Sequence, residues 1–181
     1  MGLRIAPVIF VNSLLYNKMK GSIIWTLLLA CCAVCHGQDD MNTTCNVSVM
    51  LPPACKCPFY MIICSNAKLS SCPDFSMSDF SVGFIFLNGN NLLSLNNYTF
   101  VNFTQLRNLD LHSNQLSTLP SDILNANSYL DLFNIAKNPL TSLPSDLFTY
   151  QTRITSIQIS NTLLLTLPES MFFNNTRLQT L

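Results

Sequence analysis

The chain has 181 residues, of which 49% are hydrophobic and only 10% are charged, and its formal net charge at pH 7 is +0. A usual charged fraction is about 25%, so the composition excludes an intrinsically disordered chain and supplies enough apolar residues for a core. The balanced charge also argues against a partner that is held mainly by electrostatic attraction.

The N-terminal residues are predicted to lie outside the folded part. Two lysines precede an uncharged run over residues 23–35, and small residues such as Gly37 follow before the first acidic residues. This pattern is typical of a secretory signal peptide, which we assign to residues 19–37. The run is shorter than the ~20 residues of a membrane-spanning helix, so a membrane anchor is the weaker interpretation.

Two further interpretations concern the same region. Residues 1–18 are interpreted as an over-extended N-terminus, because Met19 offers a second start. Cys31 follows Leu-Leu-Ala, which leaves a bacterial lipoprotein signal as an alternative, although nothing downstream favours it. Without residues 1–37 the chain keeps six basic and nine acidic residues, a formal charge of 6 − 9 = −3. We see no cluster of Lys and Arg in the sequence, so neither nucleic acid nor a heparin-like polyanion is expected as a partner.

Five cysteines lie close together after the signal peptide, at Cys45, Cys55, Cys57, Cys64 and Cys72. In a secreted chain such a concentration predicts a disulfide-stapled subdomain, which we place at residues 38–77. The oxidising compartment and the short spacing between Cys55 and Cys57 argue against a zinc site, and no metal or other cofactor is expected.

Residues 78–181 repeat one pattern with a period of 24 residues. In the copy that begins at Leu106, apolar residues occupy positions 0, 3, 5, 10 and 13, asparagine occupies position 8 and proline position 14. Complete copies also begin at Val82, Leu130 and Ile154, and Leu178 begins a fifth that is truncated. The pattern is a leucine-rich repeat, in which each copy forms one coil of a solenoid and buries its apolar edges against its neighbours.

Each position of the repeat predicts a structural role. Positions 3 and 5 are expected to point inward from a short strand, because side chains alternate along β structure. The asparagine at position 8 is expected to satisfy backbone groups where the chain leaves the strand. Thr162 replaces this asparagine in the fourth coil. That coil either has fewer hydrogen bonds at this turn or uses Asn161 in a shifted turn. An apolar column at position 18 predicts a packed spine under the convex side, formed by Phe100, Leu124, Phe148 and Phe172.

The cysteine spacing and the repeats together resemble extracellular leucine-rich repeat proteins, such as Slit-like proteins, small leucine-rich proteoglycans, Toll-like receptors and variable lymphocyte receptors. The resemblance implies an α/β solenoid fragment with a parallel sheet on its concave face, an irregular convex side and a cysteine-rich N-terminal cap. It also implies disulfides between Cys45 and Cys57 and between Cys55 and Cys64. Cys72 is left unpaired, as a buried free thiol or as a partner in an intermolecular disulfide.

Five N-glycosylation sequons follow the signal peptide, at Asn42, Asn46, Asn97, Asn102 and Asn174. The three in the repeats lie at positions 15 and 20, so their glycans are expected on the convex or returning side. The concave sheet would remain open to a ligand.

The candidate ligand-binding residues are those predicted to point outward from the concave sheet: Phe84, Phe86, Asn88, Asn108, Asp110, His112, Leu132, Asn134, Lys137, Ser156 and Gln158. Phe84 and Phe86 would anchor a protein partner, since aromatic anchors carry most interface energy, unless a loop of the cap covers them. Each of the four coils offers four positions on or just after the strand, and these eleven candidates are among the resulting sixteen. Sixteen positions fall short of the ~20 to 30 residues per side in a standard interface. Alone, the fragment is therefore expected to bind weakly.

These patterns predict an extracellular protein-binding module and not an enzyme. His112 is the only histidine outside the signal peptide, and Asp110 beside it has no third ligand or nucleophile. We interpret the chain as the N-terminal part of a receptor or adhesion ectodomain, with any membrane association in a segment after Leu181. A secreted matrix protein of the small proteoglycan type is the alternative.

Overall fold

The computed structural model describes residues 51–58, 60–75 and 81–181. All of these residues belong to one structural unit, Thr43–Leu181. The predictions for the signal peptide, for Asn42 and Asn46 and for Cys45 lie outside the described residues.

Short parallel strands stack side by side along the chain. Within the described residues there are five, β1 (Met61–Ile63), β2 (Phe84–Phe86), β3 (Asn108–Asp110), β4 (Leu132–Asn134) and β5 (Ser156–Gln158). They form one sheet in the order β1-β2-β3-β4-β5, and every neighbouring pair is parallel. Phe84 pairs with Asn108, Asn108 with Leu132 and Leu132 with Ser156, so the 24-residue period places equivalent residues side by side. The predicted solenoid is confirmed.

The core lies on the inner side of this sheet. The central residues of the strands, Ile62, Ile85, Leu109, Phe133 and Ile157, are all 0–1% exposed. Their chain neighbours point to the other face, as the two-residue alternation of a strand requires. Within the described part of the chain, turns and irregular backbone connect each strand to the next, and no helix is present. The irregular convex side is therefore also as predicted.

The cap contributes a strand that the repeat pattern did not predict. β1 pairs with β2 on one side, and on its other side Ile63 forms an antiparallel bridge with Lys56. The backbone of Lys56 and Ile63 exchanges two hydrogen bonds, 2.8 and 2.7 Å long. A cap that continues the sheet in this way removes an open edge at which another chain could pair.

The asparagines at position 8 form a continuous ladder between coils. Asn114 donates from Nδ2 to the carbonyl oxygens of Leu87 in the preceding coil and Leu111 in its own coil, both at 2.9 Å. Its Oδ1 accepts the backbone N–H of Leu92 at 3.1 Å. Asn90 makes the same three bonds to the cap and the first coil, and Asn138 makes them one coil further on. Each amide thus pairs three backbone groups that would otherwise be buried without a partner.

The ladder ends at the fourth coil, where Thr162 replaces asparagine. Asn161 has a positive φ of 56°, like Ser113 and Lys137 at the same position of the preceding coils, both with φ of 55°. The turn therefore keeps its register and Asn161 does not take over the role at position 8. Of the two alternatives, the structure agrees with a fourth coil that lacks the side-chain amide bonds at position 8.

The convex side is held by the predicted apolar spine and by a second set of amides. Phe100, Leu124 and Phe148 are fully buried, and the ring of Phe172 stacks on that of Phe148 with centroids 5.7 Å apart. Position 21 carries buried amides at Asn127, Gln151 and Asn175, each of which donates to backbone carbonyls of the preceding coil. Their side-chain oxygens have no hydrogen-bond partner in the described structure, so this second ladder is less complete than the first.

Leu111→Ala tests the register of the repeat. Leu111 is 1% exposed, so the truncation should lower the free energy of unfolding by about 2–5 kcal/mol, measured by urea denaturation. Leu165 is 96% exposed, and Leu165→Ala should change the free energy of unfolding by less than about 0.5 kcal/mol. Equal losses in the two variants would show that the inward positions are wrongly assigned.

Candidate binding surface

The outward side chains of the five strands form two rows across the concave face. The first residues of the paired strands form one row: Met61, Phe84, Asn108, Leu132 and Ser156. The last residues form the other: Ile63, Phe86, Asp110, Asn134 and Gln158. The structure thus brings eight predicted site residues into two rows, and it adds Met61 and Ile63, which the sequence reasoning missed. The apolar run between Cys57 and Cys64 was the signal that could have identified them.

Four apolar residues of these rows, Met61, Ile63, Phe84 and Phe86, lie together at the cap end, and we call them the apolar corner. All four are half-buried, while the residues between them in each strand are fully buried. Tyr60 precedes the corner and is 56% exposed. Large apolar side chains that remain partly open on a sheet face are typical of a contact site for another protein.

The middle of the concave face is more closely covered than the sequence suggested. Asn108, Asp110 and Asn134 point outward but are only 7%, 5% and 8% exposed. Side chains in adjacent strands are only about 5 Å apart, so each row shields its own members. Leu132, Ser156 and Gln158 remain half-buried.

Local hydrogen bonds hold the polar side chains of this surface in place. Asp110 Oδ1 accepts the backbone N–H of His112 at 3.0 Å and lies 2.7 Å from His112 Nδ1. Asn134 Oδ1 accepts the backbone N–H of Ala136 at 3.1 Å in the same way, one coil further on. A side chain that is already fixed loses little conformational entropy when a partner binds.

Two predicted residues lie just beyond the strands, at the rim of the concave face. Asn88 is half-buried, and its Oδ1 accepts a hydrogen bond from Ser65 Oγ at 2.6 Å, which links the first coil to the cap. Lys137 is exposed at a turn position with positive φ, and its backbone N–H donates to Ser160 at 2.9 Å. The Lys137 ammonium is therefore available at the edge of the surface.

The described residues contain no group of three or more His, Cys, Asp and Glu side chains that could hold a metal ion. His112 Nδ1 lies 2.7 Å from Asp110 Oδ1, and this contact orients the His112 ring on the surface. In the same residues no helix has the length and apolar character needed to cross a membrane.

The sequons of the repeats lie away from the strands. Asn97 and Asn174 are exposed and Asn102 is half-buried. Asn174 Nδ2 donates to the backbone oxygen of Thr149 at 3.1 Å, on the returning side of the solenoid. None of the three belongs to a concave row.

Comparison with known families agrees with this architecture. Residues 70–181 match the family model described as "BspA type Leucine rich repeat region (6 copies)". The chain belongs to the leucine-rich repeat family. The comparison with curated proteins gives no match. Leucine-rich repeat chains generally serve as protein-binding scaffolds.

The repeats also gather basic residues that are distant in sequence. The guanidinium carbon of Arg153 lies 4.3 Å from the ring centroid of Tyr129, and that of Arg107 lies 5.9 Å from the same centroid. Tyr129 and Arg153 are the last residues of consecutive coils, so the period of the leucine-rich repeat stacks them. The stacked coils thus bring two arginines that are 46 residues apart in the chain to one aromatic ring.

The cap contains one of the two disulfides that the resemblance implies. A disulfide joins Cys55 to Cys64, and it links the segment before β1 to the residue that follows β1. Cys57 is also disulfide-bonded, and its expected partner Cys45 is outside the described residues. Cys72 has a free thiol and packs against the core. Its burial raises the pKa of the Cys72 thiol to about 12 from an ordinary 9.0.

The raised pKa predicts a thiol that is unreactive while the chain is folded. Only the thiolate attacks an alkylating reagent, and at pH 8 a pKa of about 12 leaves far less thiolate than one of 9.0. Iodoacetamide should therefore label native chains at least about a hundredfold more slowly than chains in urea, as followed by intact mass. Cys72→Ser should abolish the urea-dependent label. Rapid labelling of the native chain would contradict the buried, protonated thiol.

Proposed function

We propose that the chain is an extracellular protein-binding module and that the concave sheet is its contact surface. The observation that supports this proposal is the apolar corner of Met61, Ile63, Phe84 and Phe86, which stays partly open. The adjacent strands present Leu132 and polar side chains, of which Asp110 and Asn134 are held by local hydrogen bonds. Aromatic and apolar anchors surrounded by ordered polar groups are the usual composition of a protein interface.

The size of the sheet sets the expected strength of the contact. With the strand of the cap, five strands spaced about 4.8 Å apart span roughly 19 Å. A standard interface needs ~20 to 30 residues on each side, more than the two rows supply. We therefore propose that a partner also contacts the flanks of the coils beside the concave face.

The disulfides of the cap support an extracellular location. Cys55 and Cys64 are bonded and Cys57 has a disulfide as well. Such bonds persist in oxidising compartments, and a secretory signal peptide is predicted before them. Part of a receptor or adhesion ectodomain is the first version of this proposal, and a secreted matrix protein of the small proteoglycan type is the second. Detection of the endogenous protein in detergent extracts of membranes or in matrix fractions distinguishes the two.

Phe86→Ala tests the concave surface. The secreted chain, tetramerised on streptavidin, would be applied to an array of extracellular domains, and the affinity of each captured partner would be measured with single variants. Loss of an anchoring aromatic side chain should weaken binding about 30-fold. Tyr150 is 55% exposed on the returning side of the third coil, so Tyr150→Ala should leave the affinity unchanged.

A second variant separates binding from folding. Phe86 is half-buried and its truncation can lower stability, whereas Gln158→Arg adds bulk at the far end of the same row without removing a core residue. Gln158→Arg should also weaken binding while urea denaturation stays as in the parent chain. Binding that survives both concave variants but is lost in Tyr150→Ala would overturn the proposed surface.

Glycosylation provides an independent test of secretion. Expression in mammalian cells should yield a chain in the medium whose electrophoretic mobility increases after N-glycosidase treatment, because Asn97 and Asn174 are exposed sequons. Asn97→Gln and Asn174→Gln should each reduce the glycosidase-sensitive mobility shift by the amount expected for one glycan. Full retention in the cytosol, with no glycosidase-sensitive shift, would contradict the extracellular assignment.

A further inference from the structure

Exposed apolar side chains on the returning side of the coils lie beside sequons. In the described residues, the large apolar side chains that are exposed at position 15 or later of a coil are Tyr98, Val101, Tyr150 and Phe173. Three of them are direct neighbours of a sequon asparagine, in the pairs Asn97–Tyr98, Val101–Asn102 and Phe173–Asn174. Apolar surface that water would otherwise cover therefore coincides with the places where a glycan can be attached.

The remaining side chain, Tyr150, lies beside a sequon of the next coil. Tyr150 and Asn174 both occupy position 20, in the third and fourth coils, so the repeat stacks them. Asn174 Nδ2 donates to the backbone oxygen of Thr149, the residue before Tyr150, at 3.1 Å. Asn174 is thus flanked by two exposed aromatic residues, Phe173 in its own turn and Tyr150 in the preceding coil.

The turn that carries Asn174 is anchored from below. The backbone N–H of Asn175 donates to the oxygen of Phe172 at 3.0 Å, which closes the turn around Phe173 and Asn174. The Phe172 ring stacks on that of Phe148, and buried Asn175 donates from Nδ2 to the backbone oxygen of Phe148 at 2.9 Å. The exposed pair therefore lies at the tip of a fixed turn, where a contact between neighbours costs little conformational entropy.

The hydrogen bond of Asn174 is compatible with a sugar on the same nitrogen. A side-chain amide nitrogen has two hydrogens. An N-linked sugar is bonded to Nδ2 in place of one of them, and the other can continue to donate to the Thr149 oxygen. The first sugar would then start from a held side chain, directly beside the two aromatic residues.

We propose that the innermost N-acetylglucosamine of an N-linked glycan on Asn174 packs against the rings of Phe173 and Tyr150, and that this contact stabilises the folded chain. The inference rests on the proposed function, because it requires passage through the secretory pathway. A sugar ring has C–H groups on its faces, and an aromatic ring has an apolar face that gains from being covered. Phe173 is 86% exposed, so nearly all of its surface is available for this contact.

Trimming the glycans to one sugar tests the contact. The chain secreted by cells that make only high-mannose glycans would be treated with endoglycosidase H, which leaves a single N-acetylglucosamine on each modified asparagine. Thr176→Ala removes the sequon but keeps Asn174 and its hydrogen bond. In scanning calorimetry this variant should unfold about 2–4 °C below the trimmed parent chain, the shift that one aromatic contact gives in a chain of this size.

Phe173→Ala separates the sugar contact from a direct effect of Thr176. In the Phe173→Ala background, Thr176→Ala should move the unfolding midpoint by less than about 1 °C, because the sugar has lost its main contact. Phe173→Tyr keeps a ring and should retain the full difference. The matched control is Leu165→Ala, which truncates a side chain of the same coil that is 96% exposed and has no sequon beside it. In that background the difference should persist.

Mass spectrometry of the glycopeptides reports whether Asn174 is modified. Two results would overturn the inference alone: a sugar on Asn174 that does not raise the unfolding midpoint, or a rise of equal size in Phe173→Ala. A secreted chain with glycans elsewhere but none on Asn174 would also overturn it, while the extracellular assignment would stand. A chain that stays in the cytosol without any glycan would contradict the extracellular assignment as well.

Discussion

The structure depends on the pairing of backbone groups between coils by a buried side-chain amide. Asn90, Asn114 and Asn138 each donate to backbone carbonyls of their own coil and of the preceding coil or cap, and each accepts one backbone N–H. In doing so they join a coil to the one before it. Without them, the turn that follows every strand would bury backbone N–H and C=O groups without partners. The short three-residue strands are sufficient because this ladder, together with the apolar core, holds the coils in register.

That constraint explains where variation is tolerated. Inward positions must fill the space between neighbouring coils, and in the first three coils position 8 supplies an amide, so both are restricted there. The outward positions of the strands carry no such requirement, and they range from phenylalanine in β2 to serine and glutamine in β5. A scaffold of this kind can therefore present different surfaces on the same backbone, which is the physical basis for the proposed role in binding.

The cap and the fourth coil differ in the bonds that hold them to the neighbouring coil. In the cap, the bridge between Lys56 and Ile63 and the disulfide between Cys55 and Cys64 close the sheet and protect its first strand. In the fourth coil, Thr162 ends the amide ladder, and Leu163, Leu165 and Phe173 are exposed. Within the described residues, the amide ladder therefore runs from the cap to the third coil.

The sequence by itself determined the solenoid, its 24-residue coils, the inward residues and the asparagine ladder, because each of these follows from a side-chain pattern that recurs at a fixed spacing. Only the tertiary structure decided three other features. The strand in the cap has no repeat pattern and forms through pairing with β2. The low exposure of Asn108, Asp110 and Asn134 results from neighbouring rows that the linear order does not show. Arg107 and Arg153 are 46 residues apart in the chain, and they meet over Tyr129 only because stacked coils bring distant residues to one flank.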